Sequence, residues 1–167
     1  MTTVTPASGA PVQQRLIRDG AVVADDWLPP AEQTPGEGER RILTLAQWQA
    51  AGSPAGAAVQ LETDDDPAAL LDALPGLALV AVHFEAFTDG RGFSLARRLR
   101  EAGFTGELRA RGSLLPDQAH YLRRCGFNAL EFSDPDRLAQ ARERLAVFST
   151  DYQGAADQPL PLFRRRA

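Results

Sequence analysis

Two hydrophobic rhythms alternate along the chain. Short apolar runs recur, and between most of them apolar residues follow the three-and-four spacing of an amphipathic helix. Over residues 15–27 the pattern is that of a hairpin: Leu16 and Ile17, a turn at Asp19-Gly20, then Ala21, Val22 and Val23. An Asp-Gly pair between two such runs favours a type I′ turn, because both central residues there need positive φ. Residues 28–39, rich in Pro, Gly and Glu, read as a surface connection.

From Arg41 onward, strand and helix patterns take turns. Strands are predicted at residues 42–45, 58–62, 77–84, 107–110 and 129–132. Helices are predicted at residues 47–51, from Asp66, at 93–102, at 116–125 and from Asp134. Asp66-Pro67 and Asp134-Pro135 each place a capping carboxylate before a Pro in the first helical position. Leu70, Leu71 and Leu74 form the apolar face of the first of these helices; Leu138, Ala141, Leu145 and Phe148 form that of the second. The run LALVAVHF at residues 77–84 is almost uninterrupted, as burial on both sheet faces requires.

These elements predict an α/β fold: an N-terminal β-hairpin, then about five βα units forming a mostly parallel sheet flanked by helices in a three-layer, Rossmann-like arrangement. A partial (βα) barrel has the same element order and is the alternative, since chain order does not set strand order. In both, ligands gather where strands end and helices begin. Residues 1–12 read as a disordered arm, 13–153 as a single domain, and 154–167 as a flexible tail ending in Arg164-Arg165-Arg166.

Composition narrows the chemistry. All 18 basic residues are Arg, and there is no Lys. This excludes a Schiff-base lysine, hence ordinary pyridoxal-phosphate and class-I aldolase mechanisms, and also a Walker-type NTPase and a kinase. One Cys and two distant His cannot build a closed zinc site or supply four thiolates to an iron–sulfur cluster. A single Cys forms no internal disulfide, which fits a cytoplasmic location. No run of apolar residues is long enough to span a membrane, and the first residues lack the basic and apolar regions of a secretory signal. Residues 1–86 hold 4 Arg against 12 acids, a balance of −8; residues 87–167 hold 14 Arg against 10 acids, a balance of +4. Without aromatics set around it in a basic fold, the Arg tail does not indicate nucleic-acid binding.

The richest loop follows the most buried strand and contains Thr88, Asp89, Gly90, Arg91, Gly92 and Ser94. Its two Gly would turn backbone N–H groups toward an anion, the helix N-terminus would add partial positive charge, and Arg91 would supply a planar fork. Asp89 is a candidate base, a holder of Arg91 or a helix cap. A third Gly is missing, with Leu95 in its place, so the loop is no dinucleotide fingerprint. Arg109 and Arg111 share one strand face by alternation, and Arg111 would converge with Arg91 if their strands are neighbours. Asp117 and Gln118 begin the helix that follows. Cys125 lies at a helix C-terminus, where the dipole disfavours a thiolate while Arg123 and Arg124 favour one. It is a candidate reactive thiol or a structural residue at the helix stop. His83 reads as a core histidine and His120 as a poor partner for Cys125.

The stretch FxxFTDGRGFSxARxLR at residues 84–100, followed by GELRAxG, then DQ, then RCGFxAxE, resembles the bacterial domain-of-unknown-function 934 family. The resemblance runs from about Leu16 to Tyr152. Members of that family are commonly encoded beside sulfite reductase and adenylyl-sulfate reductase genes, and are labelled oxidoreductases of sulfite reduction on that neighbourhood rather than on a known reaction. Carried over residue by residue, the resemblance marks Thr88, Asp89, Gly90, Arg91, Ser94, Arg109, Asp117, Gln118 and Cys125. This chain has Ser113 where the family pattern has an acidic residue.

What the resemblance implies is an accessory protein of assimilatory sulfite reduction that binds a small oxyanion or a partner, sulfite reductase or another sulfur-assimilation enzyme. The alternatives are an oxidoreductase using an organic cofactor, flavin or nicotinamide, and a purely structural interaction module. No cofactor is evident in the residues themselves.

Overall fold

The computed structural model describes residues 14–32, 35–36 and 38–165. The expected arm at residues 1–12 and the last two tail residues lie outside these. Strands β1 (Arg15–Arg18) and β2 (Ala21–Ala24) form the hairpin, and Asp19 and Gly20 take φ of 50° and 82°, the positive values its turn requires. Then come β3 (Ile42–Thr44), α1 (Leu45–Ala50), β4 (Ala58–Glu62), β5 (Leu79–Phe84), α2 (Arg91–Glu101), β6 (Glu107–Gly112), α3 (Ala119–Cys125), β7 (Ala129–Glu131) and α4 (Pro135–Leu145). Thr44 and Gln47 close a reciprocal capping box on α1, and Gly126 ends α3 at φ 115°.

Seven strands form one sheet in the order β2-β1-β7-β6-β5-β4-β3. β3 to β7 are parallel and lie in chain order, while β1 runs antiparallel to both β2 and β7. The α/β class, the leading hairpin and the mostly parallel sheet with flanking helices are thus as expected. A sheet that grows in one direction through right-handed crossovers receives its helices on one face. Accordingly Trp48 of α1, Leu95 and Leu99 of α2, Leu122 of α3 and Leu138 of α4 join a single apolar cluster with Val59, Val80, Val82, Leu108 and Leu130 of the strands.

The opposite face is covered by irregular chain. Just after the hairpin, Asp25 reaches Arg109 on this face, and Trp27 packs on Ile42, Ala58, Leu79 and Ala81. Leu28 pairs with Arg41, beside β3. β2 and β3 are the two sheet edges, six strand spacings or about 29 Å apart if the sheet were flat. The four residues from Ala24 to Leu28 reach about 14 Å at most. The sheet therefore curls, a feature shared with the partial-barrel alternative.

Three expectations need correction. The helix from Asp66 is two 3₁₀ turns, Pro67–Leu70 and Leu74–Gly76, and Leu71 is exposed rather than part of an apolar face. Pro75 cannot donate to a continuing helix, so the segment turns instead. Phe148 falls beyond the end of α4 and is exposed, with its ring 4.8 Å from that of His120. Within residues 154–167, expected as a flexible tail, Ala156 and Asp157 lie back on α3: Arg124 bonds Asp157 at 2.7 Å, and Ala156 N–H bonds the Arg124 carbonyl at 3.1 Å.

Candidate functional site

The loop after β5 meets the start of α2 at the C-terminal edge of the parallel strands. Asp89 organises it. The Thr63 hydroxyl, just beyond β4, donates to Asp89 Oδ2 at 2.5 Å. Arg91 donates from its backbone N–H and Nε to Oδ1, both at 3.0 Å, and from Nη2 to Oδ2 at 2.8 Å. Hydrogen bonds from the Arg91 side chain, then Thr63, then the Arg91 backbone hold the Asp89 carboxyl well below its ordinary range, so it stays ionised. The chain's own carboxylate thus occupies the helix N-terminus that an external anion was expected to use. The two Gly do other work. Gly90 has ordinary helical angles, and a Cβ on Gly92 would come within 2.5 Å of the Phe84 ring, so Gly92 is there for close packing. Thr88 is exposed.

Arg109 and Arg111 share a strand face as predicted, but neither faces an open anion site. Arg109 is fully shielded from solvent. Its Nη1 and Nη2 grip Asp25 at 2.7 and 2.9 Å, Nε bonds Glu107 at 2.9 Å, and Glu131 lies 3.4 Å from Nη1. Burial lowers the affinity of this guanidinium for its proton, and the carboxylates of Asp25 and Glu107 more than reverse that. Arg111 donates to Gln60 Oε1 at 2.9 Å and to Glu131 Oε1 at 3.1 Å. The expected convergence of Arg111 with Arg91 gives way to two separate sets of internal partners. Asp117 pairs with Arg144 at 2.8 Å, and Gln118 ties Leu115 N–H to the Phe87 carbonyl.

Parallel register brings a further pair together. Glu62 of β4 sits opposite His83 of β5, and His83 opposite Arg111 of β6. His83 Nδ1 is 2.7 Å from Glu62 Oε2, and Gln60 Nε2 donates to the other Glu62 oxygen at 2.7 Å. One hydrogen-bonded chain therefore runs from His83 through Glu62, Gln60, Arg111, Glu131 and Arg109 to Asp25. Such an array can orient the imidazole so that Nε2 points away from Glu62, the arrangement by which a carboxylate selects a histidine tautomer. Reading His83 as a core residue missed this, because Glu62 becomes its neighbour only through strand register. Among the described residues, no group of three or more His, Cys, Asp or Glu is arranged to hold a metal ion. No described helix is long and apolar enough to cross a membrane.

Residues 58–163 match the family model described as "Bacterial protein of unknown function (DUF934)". The chain belongs to this family. No curated protein matches it. The stretch matched by the domain-of-unknown-function 934 model opens at β4 and includes Asp89, Arg91, Arg109, Arg111, Cys125 and Glu131, but neither the hairpin nor β3. Asp25, which fills the Arg109 fork, therefore lies outside the matched stretch.

Within the matched domain-of-unknown-function 934 stretch, the helical face differs in character from the strand edge. α2 and α3 border an open cavity of about 640 Å³ lined by Arg97, Arg98, Arg124, His120, Tyr121 and Cys125, with Ser94 at its margin. Tyr121 is exposed, and its ring lies 4.9 Å from that of Phe93. Cys125 has no histidine base. His120 Nε2 is 3.0 Å from Asp151 Oδ1, and its Nδ1 is 3.2 Å from Arg123 Nη2. Burial pushes the Cys125 thiol up from its ordinary value, against the pull of the Tyr121 hydroxyl and of Arg97 and Arg124. The net direction disfavours the thiolate.

Proposed function

We propose that the protein is an accessory component of assimilatory sulfite reduction that works by binding sulfite reductase rather than a free oxyanion. The link to sulfite reduction rests on the motif resemblance between Phe84 and Glu131. The mode of action rests on one observation: how the guanidinium groups are used. Those at the strand edge, Arg91, Arg109 and Arg111, are engaged by the chain's own carboxylates. On the α2–α3 face Arg124 is held by Asp157 at 2.7 Å, while Arg97 and Arg98 line, with an exposed Tyr121, a cavity without a carboxylate in its wall. The only ion pairs of Arg97 and Arg98 among the described residues are with Glu101 at 2.7 Å and Asp66 at 3.6 Å. Both are solvent-exposed pairs of the kind worth little and readily exchanged for another carboxylate. Arg and Tyr together are the residue types that dominate binding energy at protein interfaces. The complementary surface on the reductase is an acidic one.

The test uses the purified protein and purified sulfite reductase from the same bacterium. A complex should form at low ionic strength and weaken at least roughly tenfold between about 50 and 300 mM salt. Replacing Arg97 and Arg98 with Glu should abolish it. No complex at low salt, or one indifferent to both salt and charge reversal, would overturn the proposal. A yellow preparation with flavin absorbance would redirect it to the oxidoreductase alternative.

A further inference from the structure

A second cavity, of about 610 Å³, opens at the opposite end of the sheet, where the parallel strands begin. Its volume falls within the range of small-molecule pockets. The walls are apolar: Ile17, Phe104, Phe127, Leu130 and Leu145. The hairpin turn at Asp19-Gly20 forms one side of the mouth, and Ala156 and Asp157 of the returning C-terminal segment form another.

Two guanidinium groups stand at this mouth. Arg100 donates from Nε to the Gly126 carbonyl at 2.8 Å and from Nη1 to the carbonyls of Phe104 and Gly106 at 2.7 and 3.0 Å. Its Nη2 donates to Asn128 Oδ1 at 3.1 Å. Every one of these acceptors is neutral, so a half-buried positive charge is solvated by amide oxygens without a carboxylate in contact. One of its five N–H groups has no acceptor among the described residues. Arg123 is the second. Its Nη1 donates to the Leu145 carbonyl at 3.1 Å and its Nη2 lies 3.7 Å from Asp151 Oδ2, but its Nε is screened from solvent, lies 3.4 Å from Asp157 Oδ2 and makes no hydrogen bond among the described residues.

Asp19 and Asp157 share the rim. Asp157 is drawn to Arg124 at 2.7 Å, and Asp19 accepts from Asn128 Nδ2 at 3.3 Å. Asp157 is shared between Arg123 and Arg124 and Asp19 is held by Asn128, so among the described residues no carboxylate contacts Arg100, whose single charge is left for one added anion. We infer that this basal cavity binds an amphipathic monoanion, its apolar body against the five hydrophobic walls and a single carboxylate or sulfonate at Arg100 and Arg123. The site is at the far end of the strands from the Asp89–Arg91 loop, and its occupation does not depend on the proposed reductase complex.

The probe is anilinonaphthalene sulfonate, a fluorescent apolar monoanion, titrated into the intact protein. Binding should be saturable, displaced by decanoate, and unaffected by sulfate at the same concentration. Arg123→Gln should weaken it at least fivefold. Ala156→Phe and Thr105→Phe, which place bulk at the mouth from two different segments, should each abolish it. Thr105 is exposed, so that variant has no buried packing to disrupt. Thermal melting reports whether each variant is folded. No saturable signal in the wild type, displacement by sulfate as strong as by decanoate, or undiminished binding in a folded blocking variant would overturn the inference. The last result would place the probe on the exposed aromatic surface instead.

Discussion

Arg109 at the centre of the sheet and Asp25, 84 residues earlier, form a two-pronged ion pair at 2.7 and 2.9 Å, with both side chains essentially removed from solvent. This contact pins the irregular connection between β2 and β3 across the face that no helix covers. Removing one partner of a buried pair leaves the other charged and unsolvated, at roughly 3–5 kcal/mol. Glu107 and Glu131 remain near Arg109, so Asp25→Ala should fall at the lower end, about 3 kcal/mol by urea unfolding. Asp25→Asn, whose amide oxygen still accepts, should lose roughly half as much. An alanine variant within about 0.5 kcal/mol of wild type would mean that the connection is not held by this pair.

Gly112, the last residue of β6, links the sheet to the His83 site. Its φ is 95°, and a Cβ there would collide with the Phe84 carbonyl oxygen and come within 2.7 Å of the His83 ring. Gly20, at φ 82°, has open space around it. Both positions strain an alanine by roughly 1 kcal/mol for its backbone alone. Gly112→Ala should cost clearly more than Gly20→Ala in the same unfolding assay, and should shift the His83 ring resonances. Equal losses would show that the loop yields freely around a new methyl group.

The elements most legible in the sequence were those bounded by strong local signals. The Asp19-Gly20 turn, the β4 and β5 runs and the Gly126 stop of α3 all rest on interactions within a few residues. The segment after Asp66 misled because its cap and Leu spacing favour a helix, while Pro75 sits too close for more than short turns to form. At the site, alternation correctly put Arg109 and Arg111 on one face. Their partners were out of reach, since Asp25, Gln60 and Glu131 approach them only through strand order and the curl of the sheet. Likewise Glu62 meets His83 through register, which no local pattern encodes.

The Asp89 clasp gives the stability a defined pH dependence. Its folded-state value is depressed from the ordinary 3.8 by Arg91 and Thr63. A depressed carboxyl contributes stability that is fully present above its unfolded value and is lost as pH falls below that value toward the folded one. Wild type should therefore melt higher than Asp89→Asn at neutral pH, with the gap narrowing once pH drops below about 4. A gap that stays constant to about pH 3 would mean that Asp89 gains nothing from its partners in the folded chain.

Cys125 offers a direct reading of whether the α2–α3 cavity holds a reactive thiol. Burial raises the thiol from its ordinary 9.0, and the hydrogen bond from Tyr121 and the charges of Arg97 and Arg124 do not reverse this. The nucleophile in alkylation is the thiolate, so a raised value and partial burial both slow the reaction. Iodoacetamide should modify Cys125 at least about tenfold more slowly than a free cysteine at neutral pH, and the rate should keep climbing above pH 9. Rapid alkylation that levels off near neutral pH would point the other way. It would mean that the surrounding guanidiniums stabilise a thiolate, and that the cavity is built for thiol chemistry rather than for docking.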